Sequence, residues 1–209
     1  MYHIISTFLE SLTLLLPIVN PLGTSPIFYS LTSATTSKFR AILARRIAIY
    51  GLIIMVVCML FGSQILNALG LTIAPVRIAG GLILIAVGWN LLHQNNASNK
   101  NEKHLSDEIL RKRTFSPLTL PITTGPGTIA VTLAFGAKVA DSKDFLLEEY
   151  IGALLGISVV AISIYLCYRF VDRLMSALGE VGSEVIVSLS AFILLCISVQ
   201  IICSGYSAL

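Results

Sequence analysis

Six apolar stretches, each close to the length of a bilayer-spanning helix, constrain this chain more than any other feature. They run over about 5–32, 47–67, 73–93, 117–138, 150–170 and 185–204. About 20 mostly apolar residues in helical geometry cross roughly 30 Å of hydrocarbon. Inside lipid every backbone polar group needs an internal partner, which favours helices. Charge agrees: 12% of the 209 residues are Asp, Glu, Lys or Arg, half of the about 25% usual in soluble domains. The expectation is an all-α integral membrane protein with six transmembrane helices. The first stretch is longer than one straight helix requires, which leaves room for an interruption.

The polar residues between the stretches predict organisation and orientation. HQNNASNKNEKHLSDEILRKR is the longest polar segment and divides the chain into a first three-helix unit (1–93), a linker (94–116) and a second three-helix unit (117–209). Lys and Arg accumulate on the cytoplasmic side of membrane proteins. Eleven of the fourteen basic residues lie after the first stretch, in the linker or after the fifth stretch. This places the linker in the cytoplasm and both termini outside. No Lys or Arg precedes the first apolar run and no small-residue cleavage site follows it, so a cleaved signal peptide is not expected.

Three helices per unit is an odd number, so two homologous units must insert with opposite topology. PIVNPLGTSPIF and PITTGPGTIAV support such a repeat. At an offset of 104 residues Pro17-Ile18 matches Pro121-Ile122 and Gly23-Thr24 matches Gly127-Thr128. The predicted architecture is an inverted 3+3 repeat with the first and fourth helices interrupted, an arrangement used by secondary transporters.

Proline removes a helix hydrogen bond and clashes with the carbonyl four residues back. Broken helices persist in membranes where protein or a wet cavity surrounds them. Thr24 or Ser25 before Pro26, and Gly125 before Pro126, read as helix starts. Each would aim a half-helix N-terminus, with free N–H groups and partial positive charge, at one interior point. Carbonyls released before Asn20 and Thr124 would face the same point. A carboxylate suits the first and an ammonium the second, so a zwitterionic amino acid is the simplest ligand. The candidate substrate-binding residues are Asn20, Pro21, Gly23, Thr24, Ser25 and Pro26 with Thr123, Thr124, Gly125, Pro126, Gly127 and Thr128. The plain alternative is two kinks that only let helices pack closely.

Arg77 joins the candidates because an intramembrane charge is costly and functional by default. Close to Pro75 and the outer interface, it could equally snorkel and anchor. Glu10 and Glu184 read as interfacial, Trp89, Asn90 and His93 as an inner-interface belt, and Gln64 and Gln200 as contacts between helices. Cys58, Cys167, Cys196 and Cys203 have no CxxC spacing and read as small hydrophobes. The histidines share no ligand spacing, so neither a metal nor a cofactor is expected. HExxH, GxSxG and Walker motifs are missing, so no enzyme is expected. The dispersed basic residues give no nucleic-acid surface. The expected partners are a lipid bilayer and a small-molecule substrate; a homo-oligomer is compatible with the pattern. A secondary transporter is the leading reading, with a midplane site between the two broken helices. A channel-like pore for small solutes and a non-transporting scaffold are the alternatives.

NPLGTSP at 20–26, PLTLPITTGPGTI at 117–129 and RIAGGL at 77–82 together resemble the MarC family of bacterial and archaeal inner-membrane proteins. That family belongs to a wider LysE-like group of amino-acid exporters. The likeness runs through nearly the whole chain and is most specific at Gly125-Pro126-Gly127-Thr128. It implies six spans in a bacterial or archaeal cytoplasmic membrane and transport of small neutral amino acids such as glycine and alanine. Asn20, Pro21, Gly23 and Pro26 match its first motif; Pro121, Gly125, Pro126, Gly127 and Thr128 match its second. Arg77, Gly80 and Gly81 match its third-span motif. One departure is that Ser188 and Ala191 stand where the family looks to carry Arg and Gly in the sixth span.

Overall fold

The computed structural model describes residues 2–33, 35–94, 123–140 and 146–208. They form helices only: α1 (Tyr2–Val19), α2 (Pro21–Leu31), α3 (Ser37–Ala68), α4 (Ile73–Gln94), α5 (Pro126–Ala140), α6 (Leu146–Arg169) and α7 (Val171–Tyr206). Five segments are long and apolar enough to span a bilayer: α1 with α2, then α3, α4, α6 and the Val181–Tyr206 part of α7. The sixth expected span is represented by α5, a 15-residue apolar helix. Its expected start at 117–122 lies outside the described residues, as do Pro121 and the linker from 95 onward.

The first helix breaks at Asn20, not at Thr24 or Ser25 as the sequence suggested. Asn20 is left-handed (φ 47°) and caps α2, with Pro21 at the first helical position and Pro26 inside the helix. Asn tolerates this conformation because its short polar side chain bonds locally. Here the Asn20 Oδ1 accepts the Gly23 amide at 3.1 Å. At the second motif α5 begins at Pro126, where a helix start was expected, and the Gly125 carbonyl accepts the Ile129 amide. A further bend lies in α7 at Gly179, whose φ of 65° suits a residue without Cβ.

Leu15, Leu43, Ile47, Met55, Met59, Ile157 and Ile164 are fully buried at the centre. Between 28% and 39% of each spanning segment is buried inside the protein, so large side chains such as Ile53, Phe61, Ile162 and Phe192 face outward. An apolar surface of that extent requires lipid. Helices approach closely where glycine leaves room. A Cβ at Gly136 would collide with the Met59 carbonyl, and one at Gly62 with the Leu133 carbonyl, fixing α3 against α5. Gly152 meets the Ile4 carbonyl on α1, and Gly156 meets Ser11, in the same way on α6.

Arg40, in the first turn of α3, is a buried charge that the sequence reading passed over. Its guanidinium pairs with Asp172 at the start of α7. It also donates through Nε to Thr32 Oγ1 at 3.0 Å and through a terminal nitrogen to the Thr32 carbonyl at 2.9 Å. The Tyr29 ring lies 5.0 Å from the guanidinium carbon. A buried charge needs such a complete set of partners. Asp172→Asn is expected to cost about 1–2 kcal/mol, less than loss of a fully enclosed carboxylate, because the Asp172 side chain is 40% exposed. Thermal unfolding in detergent measures it; an unchanged midpoint would show that Thr32 and Tyr29 suffice. At the other end of the bundle Lys138 pairs with Glu10, both well exposed. Gln64 is exposed and accepts from Ser63 on its own helix, so it does not join two helices.

Candidate functional site

The two interrupted segments meet, and a residue not suspected from the sequence joins them. Tyr168, near the end of α6, is fully buried. Its hydroxyl lies 2.9 Å from Thr24 Oγ1 of the first motif and 2.9 Å from Thr123 Oγ1 of the second. Its ring stacks on Phe28 of α2, centroids 4.3 Å apart and planes within 5°. Each hydroxyl has one proton, which sets the direction of two of these bonds: Thr24 donates to the Asn20 carbonyl at 2.9 Å, and Tyr168 donates to Thr24. Thr123 shares the remaining bond with the Tyr168 oxygen.

Around this bridge the motif residues divide by role. Ser25 is buried and donates to the Pro21 carbonyl at 2.7 Å, so it belongs to the first turn of α2. Gly23 packs against Ser190 of α7, and a Cβ there would also strike the Asn20 amide. Gly127 packs against Leu84 of α4. That leucine occupies the space beside Gly127. Pro26 is half-buried, and Pro126 is exposed. Arg77 is not brought to the bridge; it donates to Ser204 on α7 at 3.1 Å, on an exposed part of the α4–α7 contact. Ala191 is fully buried, and its carbonyl lies against Gly88 of α4.

Among the described residues two buried side-chain polar atoms have no hydrogen-bond partner: Asn20 Nδ2 and Thr124 Oγ1, one from each motif. A buried donor or acceptor left unpaired costs about 1–3 kcal/mol, so such groups call for an account. Thr124 Oγ1 faces α3, where a Cβ on Gly51 would stand 2.9 Å away. Gly51 lies near the middle of α3, whereas Tyr168 is one residue from the end of α6. The unpartnered threonine therefore sits deeper in the bundle than the base of the Tyr168 side chain.

The two helix starts also differ electrostatically. At α2 the Asn20 side chain and carbonyl take the Gly23 and Thr24 amides. At α5 the cap is Gly125, which has no side chain to offer, so the buried Gly127 and Thr128 amides remain without an intrahelical acceptor. Among the described residues the start of α5 therefore has less capping from its own preceding residue than the start of α2. Proline also frees a carbonyl: Pro21 has no N–H, so the Pro17 carbonyl has no ladder donor. Among the described residues no three His, Cys, Asp or Glu converge as a group able to hold a metal ion.

Helices of bilayer length, an apolar exterior and a polar cluster sealed within define an integral membrane protein. Residues 5–209 match the MarC family of integral membrane proteins, and the chain belongs to that family. It is similar to the inner membrane protein MarC of Salmonella typhimurium, with 32% identity covering 93% of this chain and 91% of the relative. The Escherichia coli protein of the same name is 33% identical over the same shares, and that of Citrobacter koseri is 32% identical. No solved structure matches.

Proposed function

We propose that the chain is a secondary transporter of small neutral amino acids. The carrying observation is that two interrupted helices, distant in sequence, meet at one buried cluster that holds an unpartnered polar atom from each motif. The open amides of Gly127 and Thr128 with Thr124 Oγ1 suit a carboxylate. The Pro17 carbonyl, which Pro21 leaves without a ladder donor, suits an ammonium. An inverted 3+3 repeat is supported by packing. Gly23 and Gly127, equivalent by the sequence offset, rest on α7 and α4, the last helices of opposite units.

In this reading the central linker is cytoplasmic and both termini are outside. The Tyr168 bridge and the Arg40–Asp172 pair join the two units toward the Lys/Arg-rich loops, while Glu10–Lys138 joins them at the other face. Alternating access opens one set while the other holds. Purified protein in proteoliposomes is expected to give saturable counterflow of labelled alanine or glycine. Flux that rises linearly with concentration would point to a pore, and no flux of either solute would sink the transport reading.

A further inference from the structure

We propose that the groove between α3 and α6 binds one anionic phospholipid from the leaflet on the Lys/Arg-rich side. One end of the groove is an open cavity of about 500 Å³ whose polar lining includes Lys38, Arg45, Arg46 and Arg169. All four side chains are exposed, and none has an acidic partner among the described residues. Ile42 and Ile49 complete that end. A second cavity of about 520 Å³ shares Arg45, Ile49 and Tyr165 with the first and continues along Leu52, Ala161 and Ile162. Charge is thus confined to one end and apolar surface to the other, with a tyrosine between them.

Helical spacing produces this division. On α3 the lining positions 38, 42, 45, 49 and 52 recur every three or four residues, and on α6 positions 158, 162, 165 and 169 do the same. Each set is one helix face. The basic residues stand at the start of α3 and the end of α6, which meet because the helices run antiparallel. From Arg169 to Ser158 is eleven residues, about 16 Å along a helix, or half of the roughly 30 Å hydrocarbon thickness. The apolar part is therefore as deep as one leaflet. Basic pockets between membrane helices on the cytoplasmic side recognise anionic headgroups, and tyrosine favours the interface. A soluble phosphate would use only the basic end and leave the matched apolar end unexplained.

The test uses the full chain in mild detergent, relipidated with phosphatidylglycerol or phosphatidylcholine of identical acyl chains. Native mass spectrometry should show phosphatidylglycerol retained at least about tenfold better. Arg45→Gln with Arg46→Gln and Arg169→Gln should bring the ratio near one while the thermal midpoint in phosphatidylcholine stays unchanged. If that triple variant does not fold, Arg169→Gln alone should lower the ratio about fivefold. Ile162→Trp, which narrows the apolar end, should weaken retention of long-chain but not dihexanoyl phosphatidylglycerol. Equal retention of both lipids, or a preference that survives the arginine substitutions, overturns the proposal. So does full displacement of the lipid by glycerol phosphate alone, which would identify a site for soluble phosphate.

Discussion

Thr124→Val is expected to move stability and transport in opposite directions. Valine keeps the shape of threonine and exchanges its hydroxyl for a methyl group. Thr124 Oγ1 is buried and bonded to nothing, so the fold loses no hydrogen bond and is relieved of a desolvated polar atom. The gain should be about 1 kcal/mol, read as a higher thermal midpoint in detergent. Counterflow should fall about tenfold, the scale of one lost ligand hydrogen bond. Thr123→Val provides the contrast, because the Thr123 hydroxyl is bonded to Tyr168 and its removal should destabilise. If Thr124→Val transports like the parent, the hydroxyl touches no substrate and the site assignment fails. If its midpoint drops, the hydroxyl has a structural partner.

Tyr168→Phe should have the largest effect on stability of any single-atom deletion in the cluster. The ring remains and still stacks on Phe28, so the change isolates the hydroxyl. Thr24 keeps the Asn20 carbonyl as its acceptor, whereas the two motifs lose the hydroxyl that links them. A cost of about 1–3 kcal/mol is expected for the two buried hydrogen bonds removed. If the bridge also closes the transport path toward the Lys/Arg-rich loops, counterflow kinetics should change beyond what the stability loss explains. Urea titration with counterflow at a temperature well below unfolding separates the two effects. An unchanged unfolding midpoint would mean that water replaces the phenol, and the bridge would then not hold the motifs together.

The spans and the second helix start were legible because each is a local property. Apolar runs of bilayer length, and a proline after glycine at 125–126, need no distant partner. The first break was legible in kind but read four or five residues late, at Thr24 or Ser25 instead of Asn20. Asn20-Pro21 carries its own turn signal, yet Ser25-Pro26 resembles a helix start just as well. What decides between them is the bond from Gly23 to the Asn20 side chain, a geometric fact. The centre of the site was hidden for a different reason. Tyr168 lies 45 residues from Thr123 and 144 from Thr24, inside an apolar run where a tyrosine passes for a packed aromatic. Arg40 was concealed similarly: among the basic residues that follow the first span, Lys38, Arg40, Arg45 and Arg46, it turns inward to Asp172, 132 residues away.

The row of hydroxyls has a consequence of its own. With a single proton at each oxygen, the sense of the bonds from Tyr168 through Thr24 is set by their last acceptor, the Asn20 carbonyl. Both lone pairs of that carbonyl are engaged, by the Thr24 amide and the Thr24 hydroxyl. A shift of the Asn20 turn is therefore felt at the Tyr168 phenol, and through it at Thr123 of the other motif, by hydrogen bonds alone.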